Sequence, residues 1–492
     1  MPVSTAIDAS AVARVVGIKT EFKNLRKGGV VSLPQRVAVV GQGTTLSTHS
    51  LDPARVTTAA EAGNRFGFGS PLHLAAKQLL PVSGDGVGSI PVTLYPVADA
   101  ATGVAAAGDI TYAGAATEAS VYCVRVNNIC SSSFVISVGD TVADVSDSIT
   151  AAINASVDLP IIATDSSTTV DIESKWAGLS ANDIFVEVIG STDAGNSFGI
   201  TQPVGGLVDP DVDTALDKFG TVWETMVVNC LGVPDAKYRT HGETRWGALV
   251  RKPYVAFTGS TETDPAAAIV LPEANKTDRV SVVIPSPGAH DLPLSIAARA
   301  VARAAVRAND NPAYDYGAMK LTGMTPGAQG DQWNYAQRDF AVKGGSSTVE
   351  VVDGVVELSD TVTFYHPTGE EPPAYRYVVD IVKLQNIIFN LDLIFAGVEW
   401  NGAPLIPDEQ PTTNAAAKQP KMAAAAVNAL LDNLGLEAII SDPETAKKNT
   451  LAEIDGANPK RLNVATTVQL SGNTNIVSVD LNFGFYFGNG GL

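Results

Sequence analysis

Cysteine is scarce in this chain: Cys123, Cys130 and Cys230 are the only three among 492 residues. So sparse and odd a set fits free thiols in a reducing compartment better than a disulfide framework. Histidine is as thin. His49, His73, His241, His290 and His366 show no metal-ligand spacing with one another or with a cysteine, so no zinc site is expected. No run of about 18 apolar residues occurs, which leaves no candidate for a membrane-spanning helix. Met1-Pro2-Val3-Ser4 lacks a basic stretch followed by an apolar core, so no secretory signal is expected there. Basic charge is also short: 33 Lys and Arg stand against 52 Asp and Glu, a net charge of −19. Such a surface argues against nucleic acid or an anionic membrane as the main partner. It suits a partner with basic patches, or solubility at high concentration.

Catalytic signatures are missing too. There is no phosphate loop of the Gly-x-x-x-x-Gly-Lys-Ser/Thr type and no Gly-x-Ser-x-Gly elbow. Val39-Val40-Gly41-Gln42-Gly43-Thr44-Thr45-Leu46 begins like a dinucleotide fingerprint, but Leu46 stands at the third glycine and no helical pattern follows. A plain strand-to-loop turn is the reading there. Ser286, His290 and Asp291 are hydrolytic residue types close in sequence, but Pro285-Ser286-Pro287-Gly288 reads as a loop. No cofactor, metal or catalytic residue is expected.

What the chain does have is alternation at both ends. Val477, Val479, Leu481, Phe483, Phe485 and Phe487 alternate with polar or small residues and with Tyr486, a period-2 strand with one buried face. A similar run, Leu462 to Leu470, precedes it across Ser471-Gly472-Asn473-Thr474-Asn475, which predicts a long terminal β-hairpin. Near the other end Ile18, Thr20 and Phe22 alternate with Lys19, Glu21 and Lys23 between glycines, a short strand on an arm. A two-stranded hairpin is marginal alone. These strands therefore pair either within their own domain or by exchange with another subunit.

Between the ends the pattern is α/β, then β-rich, then α/β again. Strand Arg36–Gly41, helix Pro71–Leu80 with Ser70 as N-cap, and strand Ile90–Val97 form a βαβ unit and predict parallel pairing. An Ala/Gly/Asp linker, residues 98–108, leads into short alternating strands that run to Val204, interrupted by one helix capped by Thr141. Strands are again expected at Trp223–Leu231, Tyr254–Thr258 and Val280–Ile284, followed by a helix from Leu292 to Ala308. On that helix Arg299, Arg303 and Arg307 form a stripe, which either grips an acidic partner or is a solvated face. From about Asp339 come strands at 349–352, 355–358 and 362–365, with Asp353-Gly354 as a hairpin turn. A very apolar helix from Tyr375 to Phe395 and a helix from Pro420 to Leu434, stopped by Gly435, precede the terminal hairpin.

The ordered set Arg36–Gln42, Ser70–Leu80 with Ile90–Val97, Val280–Pro287 with the arginine helix, and Leu462–Phe487 resembles contractile-tail sheath proteins, specifically those of Mu-like myophages and related prophages. Asn458-Pro459-Lys460-Arg461-Leu462 is similar to that family's entry into its last hairpin. The resemblance implies a multidomain α/β and α+β fold: a subtilisin-like α/β core without a catalytic triad, an inserted β-rich domain and a C-terminal α+β domain. It places an N-terminal arm at residues 1–30 and the core at 31–97 and 205–335. The outward-facing insertion is 98–204, and the domain facing the tube is 336–492.

It further implies a homo-oligomer, a helical stack of six-subunit rings around a tail tube protein, ended by baseplate and tail terminator proteins. Such an assembly contracts to drive the tube through the host envelope. It forms in the host cytoplasm and resides in the virion tail, without direct nucleic-acid contact or membrane insertion. Ile18, Thr20, Phe22 and the Val477–Phe487 strand would knit neighbours together. Lys418, Lys421, Lys447 and Lys448 would be candidate contacts to an acidic tube, or ordinary solubilising charge. The competing expectation is a cytosolic, hydrolase-like α/β enzyme with a β-rich accessory domain.

Overall fold

The computed structural model of the chain describes residues 30–191, 194–232 and 236–485. It is a mixed α/β molecule of two compact units: Ser32–Phe389 with Leu470–Leu492, and Met1–Val31 with Asn390–Gln469.

The larger unit is organised by a six-stranded sheet. Its order is Ser281–Pro285, Val255–Ser260, Met226–Asn229, Val37–Gln42, Val92–Val97 and Ala54–Val56. The first five strands are parallel and the short sixth is antiparallel. Val37 to Val40 are all fully buried because both faces of the sheet are covered. Val37 and Val39 join one apolar cluster; Ala38 and Val40 join another with Leu216, Phe219 and Tyr238. The expected βαβ unit is present: helix Pro71–Leu79 is capped by the Ser70 side chain, and Val37 pairs with Val92 in parallel register.

The turn after Val37–Gln42 is a filled corner. A Cβ on Gly43 would meet the His49 ring at 2.2 Å, and one on Gly41 would meet Cys230 Cβ at 2.8 Å.

Helix Pro293–Asp310 packs on this sheet through a face of small residues, and its arginines are neither free nor merely wet. All three are half-buried. Arg299 donates to the Thr322 carbonyl, Arg303 pairs with Asp85 at 3.2 Å, and Arg307 lies 4.4 Å from the Tyr314 ring centre. The stripe fastens surrounding loops.

Residues 105–204 supply two antiparallel four-stranded sheets and helix Val142–Ala155. Thr141 and Asp144 form a capping box at that helix. The apolar interior is continuous with the parallel sheet: Ile110, Tyr122, Ile149 and Trp176 belong to the same buried cluster as Val37 and Leu72.

Thr348–Val352 and Val355–Asp360 form the expected hairpin, with Asp353 and Gly354 at φ 50° and 77° as a two-residue turn demands. The third expected strand, 362–365, is not one. It makes a single bridge, Val362 with Tyr377. Its other amides scatter: Thr363 donates to the Arg376 carbonyl, Phe364 to the Ser281 carbonyl and Tyr365 to Thr363 Oγ1.

In the smaller unit, helix Pro420–Leu436 buries Ala423, Val427, Leu430, Leu431 and Leu434. It runs through Gly435 rather than stopping there. That glycine serves close packing, because a Cβ on it would meet Pro443 Cγ at 2.8 Å.

The terminal hairpin is corrected. Leu462–Ala465 pairs with the preceding strand Leu451–Ile454, in register Leu451 with Ala465, and not with Val477–Phe487. The local turn wins. The Asp455 carboxylate accepts from the amides of Ala457 and Asn458, and the Asp455 amide donates to the Arg461 carbonyl. Residues 471–485 carry no strand.

Candidate functional site

Freed from that hairpin, the C-terminal segment stands in solvent. Ile476, Val477, Val479, Leu481, Phe483 and Phe485 are between 73% and 84% exposed. Phe483 and Phe485 touch edge to face, 6.2 Å between ring centres. Isolated exposed apolar residues are ordinary, but from Val477 to Phe485 five in a row alternate on one strand-like face, beside exposed Ile476. Ile18, Thr20, Phe22 and Phe487 lie outside the described residues.

The root of the segment is held by buried polar contacts. Lys383, on helix Val378–Phe395, is wholly buried and spends its ammonium protons on three acceptors. These are Asp380 Oδ1 at 2.9 Å, the Ser471 carbonyl at 2.6 Å and Asn473 Oδ1 at 2.7 Å. Asn473 in turn donates to the Ala313 carbonyl at 2.8 Å. Tyr377 bonds with Asn475, while burial pushes its phenol above the ordinary range.

The same helix holds the other end of the described chain. Asn386 Oδ1 accepts from the Leu33 amide at 2.7 Å. In the smaller unit, Asn390 accepts from the Val31 amide at 3.1 Å and donates to the Val31 carbonyl at 3.0 Å. A buried carboxamide that pairs with a peptide is nearly as good a neighbour as a strand. Sequence reading took this helix as apolar and missed these roles. The signal was there: Lys383, Asn386 and Asn390 recur at helical spacing inside an apolar run.

The four lysines named from the sequence do not make one patch of free charge. Lys418 is half-buried, 3.7 Å from Glu399 and 5.4 Å from the Trp400 ring centre. Lys421 donates to the Asp408 carbonyl at 2.7 Å. Lys447 bridges Asp432 and Glu444 at 2.7 and 2.6 Å. Lys448 is exposed at the end of the short helix Pro443–Lys448.

Ser286, His290 and Asp291 are structural in their contacts. Ser286 is buried and its amide bonds to the Ser260 carbonyl. The His290 ring lies over Phe185 at 4.1 Å, with Nδ1 4.0 Å from Glu187. Asp291 accepts from Asn128 Nδ2 and, at 3.0 Å, from the Thr325 amide; burial pushes its carboxyl above the ordinary range. Two of the three thus grip residues of the antiparallel layer, and no nucleophile–base hydrogen bond is formed among them in the described contacts.

A second polar junction binds the layer to helix Pro71–Leu79. His73 is buried, with Nδ1 accepting from the Gly69 amide at 3.0 Å and Nε2 3.8 Å from Asp158. Lys77 pairs with Asp158 at 2.6 Å. Lys175 donates to the carbonyls of Phe68 and Val157 at 3.2 and 2.7 Å. Burial draws His73 down to about 4 and Lys175 down to about 8.

No protein-family profile matches the chain. A Mu-like prophage FluMu tail sheath protein from Haemophilus influenzae is 23% identical over 453 residues, covering 87% of this chain and 89% of that protein. Among solved structures, a sheath tail protein from Desulfitobacterium hafniense overlays with a TM-score of 0.45 at 12% identity, covering 92% of this chain and all of that one. A sheath tail protein from Listeria innocua gives 0.47 at 11% identity, covering 91% and 94%. A chain from the contracted baseplate of the anti-feeding prophage gives 0.46 at 12% identity, covering 96% and 98%. The resemblance drawn from the ordered segments of the sequence therefore stands: over most of its length the chain is similar to a tail sheath protein of a Mu-like prophage.

Proposed function

We propose that this protein is the structural subunit of a contractile tail sheath. It polymerises as stacked six-subunit rings around a tail tube, contracts to drive that tube through an envelope, and catalyses no reaction. The single observation that carries this reading is the exposed alternating segment 476–485, which leaves a buried root at Lys383. A folded monomer gains nothing from displaying five apolar side chains in strand order. A neighbouring subunit with an open sheet edge gains a strand.

Such an edge is present. Leu451–Ile454 and Leu462–Ala465 form a two-stranded ladder with no third strand among the described residues, and Leu451 is 69% exposed. A ladder of two strands is marginal in water and is completed by additions. The exchange strands are Val477, Val479, Leu481, Phe483, Phe485 and Phe487 at one end and Ile18, Thr20 and Phe22 at the other. The parallel sheet would serve as the subtilisin-like core, residues 105–204 as the outward-facing layer, and the smaller unit as the tube-facing part. Baseplate and terminator proteins would cap the stack.

The test is truncation. Deleting residues 475–492 should leave a soluble, cooperatively folded protein that no longer forms helical sleeves by electron microscopy. Full-length sleeves from the truncated chain would remove the C-terminal strand from the assembly mechanism. Small discrete particles with hydrolytic turnover in the intact protein would remove the sheath reading itself.

A further inference from the structure

The two thiols that face solvent are neighbours. Ser120–Val126 and Ile129–Cys130 form a tight hairpin in register Arg125 with Cys130 and Val126 with Ile129. Residues two apart share a face, so Cys123, Arg125 and Cys130 lie together, opposite buried Tyr122, Val124 and Val126. Cys123 and Cys130 are diagonal neighbours on one face of this ladder. Cys130 is exposed and Cys123 half-buried, whereas Cys230 is buried behind Gly41.

The tip of this hairpin is plugged into the loops beside the parallel sheet. Asn127, at φ 50°, donates from Nδ2 to the His290 carbonyl at 2.8 Å. Asn128 Nδ2 donates to Asp291, and Asn128 Oδ1 accepts from Thr325 Oγ1 at 3.0 Å. The thiol pair therefore spans the base of the contact that joins the antiparallel layer to those loops.

We propose that Cys123 and Cys130 are a redox-active thiol pair that closes into an intramolecular disulfide by exchange with a small external disulfide, stapling the hairpin. The order of attack follows from exposure. The Cys130 thiolate attacks one sulfur of oxidised glutathione, breaks its S–S bond and releases one glutathione thiolate. Burial pushes the Cys123 thiol up, so Cys123 is the poorer first nucleophile and the natural resolving thiol. Cys123 then gives its proton to water and attacks the Cys130 sulfur, displacing the second glutathione. Two protein thiols are oxidised and one glutathione disulfide is reduced to two thiols. Diagonal partners on a ladder sit roughly 7–8 Å apart at Cα, just beyond the ~6.8 Å span that disulfides usually bridge. The product would therefore be strained, exposed and readily reversed, as labile regulatory disulfides are.

Intact full-length protein is treated with oxidised glutathione at mildly alkaline pH, then read by intact mass and by thiol titration after denaturation. The expected product has lost two hydrogens and retains one titratable thiol, Cys230. Cys123→Ser should stop at a stable glutathione adduct on Cys130. Cys130→Ser should stay largely unmodified. Amide exchange across residues 126–129 should slow in the oxidised wild type and recover with dithiothreitol. Wild-type protein that stops at the mixed disulfide, or that yields only cross-linked chains, overturns the proposal without recourse to any variant.

Discussion

The Lys383 ammonium, with no exposed surface, meets the carbonyl of Ser471 at 2.6 Å. That bond ties the root of the exposed C-terminal segment to a helix whose next turn, through Asn386, holds the Leu33 amide. A burial this complete is costly for a cation, and here three acceptors offset it. The fold thus fixes where the C-terminal segment leaves, while residues 471–485 form no strand among the described residues.

Replacing Lys383 with Met keeps the apolar stem and removes the three donors. Each acceptor left unsatisfied in the interior costs roughly 1–3 kcal/mol. The urea midpoint should fall, and protease should cut near Ser471 faster than in the wild type. A variant with wild-type stability and an equally protected Ser471 would show that the root is held by packing alone.

How far the sequence reached is clear from particular elements. Val37–Val40, Ser70 with Pro71, Thr141 and Asp353-Gly354 were legible because each carries a local signal: a doubly buried run, a helix cap, a second helix cap, a turn. The 362–365 segment and the terminal hairpin misled for the opposite reason. Alternation shows that a strand wants partners without saying which, and Asp455 closes a nearer turn first. Lys383, Asn386 and Asn390 stood out as polar residues at helical spacing in an apolar run, but their partners could not be read because these lie up to 359 residues away in sequence. The arginine stripe was visible, but not its capture by Asp85 and Tyr314.

Asp291→Ala should destabilise the protein by roughly 1–3 kcal/mol, since it strands the Thr325 amide and the Asn128 carboxamide. Asn128→Ala should act in the same direction, and the double variant should cost less than the sum of the two because they share a contact. Any hydrolytic background should be the same in all three proteins. Strict additivity in chemical denaturation would mean that the contact carries no energy.

His73 gives a pH signature with a definite sign. Burial holds its folded value at about 4, below the ordinary value of 6.5. Between these two values the unfolded chain binds a proton that the folded chain refuses, so stability drops as the solution is acidified from 6.5 towards 4. The slope from this group is at most about 1.4 kcal/mol per pH unit. Buried Asp278 and Asp291 have raised values and favour the fold as they protonate, so the raw profile mixes opposite trends. A difference isolates the histidine. His73→Asn retains an acceptor for the Gly69 amide and does not titrate. Wild type minus variant should slope upward with pH across this window and be flat above it. Parallel profiles would show that His73 protonates in the folded state as readily as in the unfolded one.

The lysines test how a sleeve would hold its tube. Lys418 and Lys447 are already engaged with Glu399, Asp432 and Glu444, while Lys421 and Lys448 project from the surface. If these four face an acidic tube, the exposed pair should carry most of the attraction, because the engaged pair is largely neutralised by its own carboxylates. Lys421→Glu with Lys448→Glu should therefore weaken co-assembly with tube protein more than Lys418→Glu with Lys447→Glu, once each variant is matched for folded fraction. The difference should shrink as salt rises, since the Debye length is only about 8 Å at physiological ionic strength. Sleeve formation without tube should be unaffected, because none of the four belongs to the 476–485 segment. Equal co-assembly of both variants and wild type at low salt would take this whole surface out of the tube interface and leave it as solubilising charge.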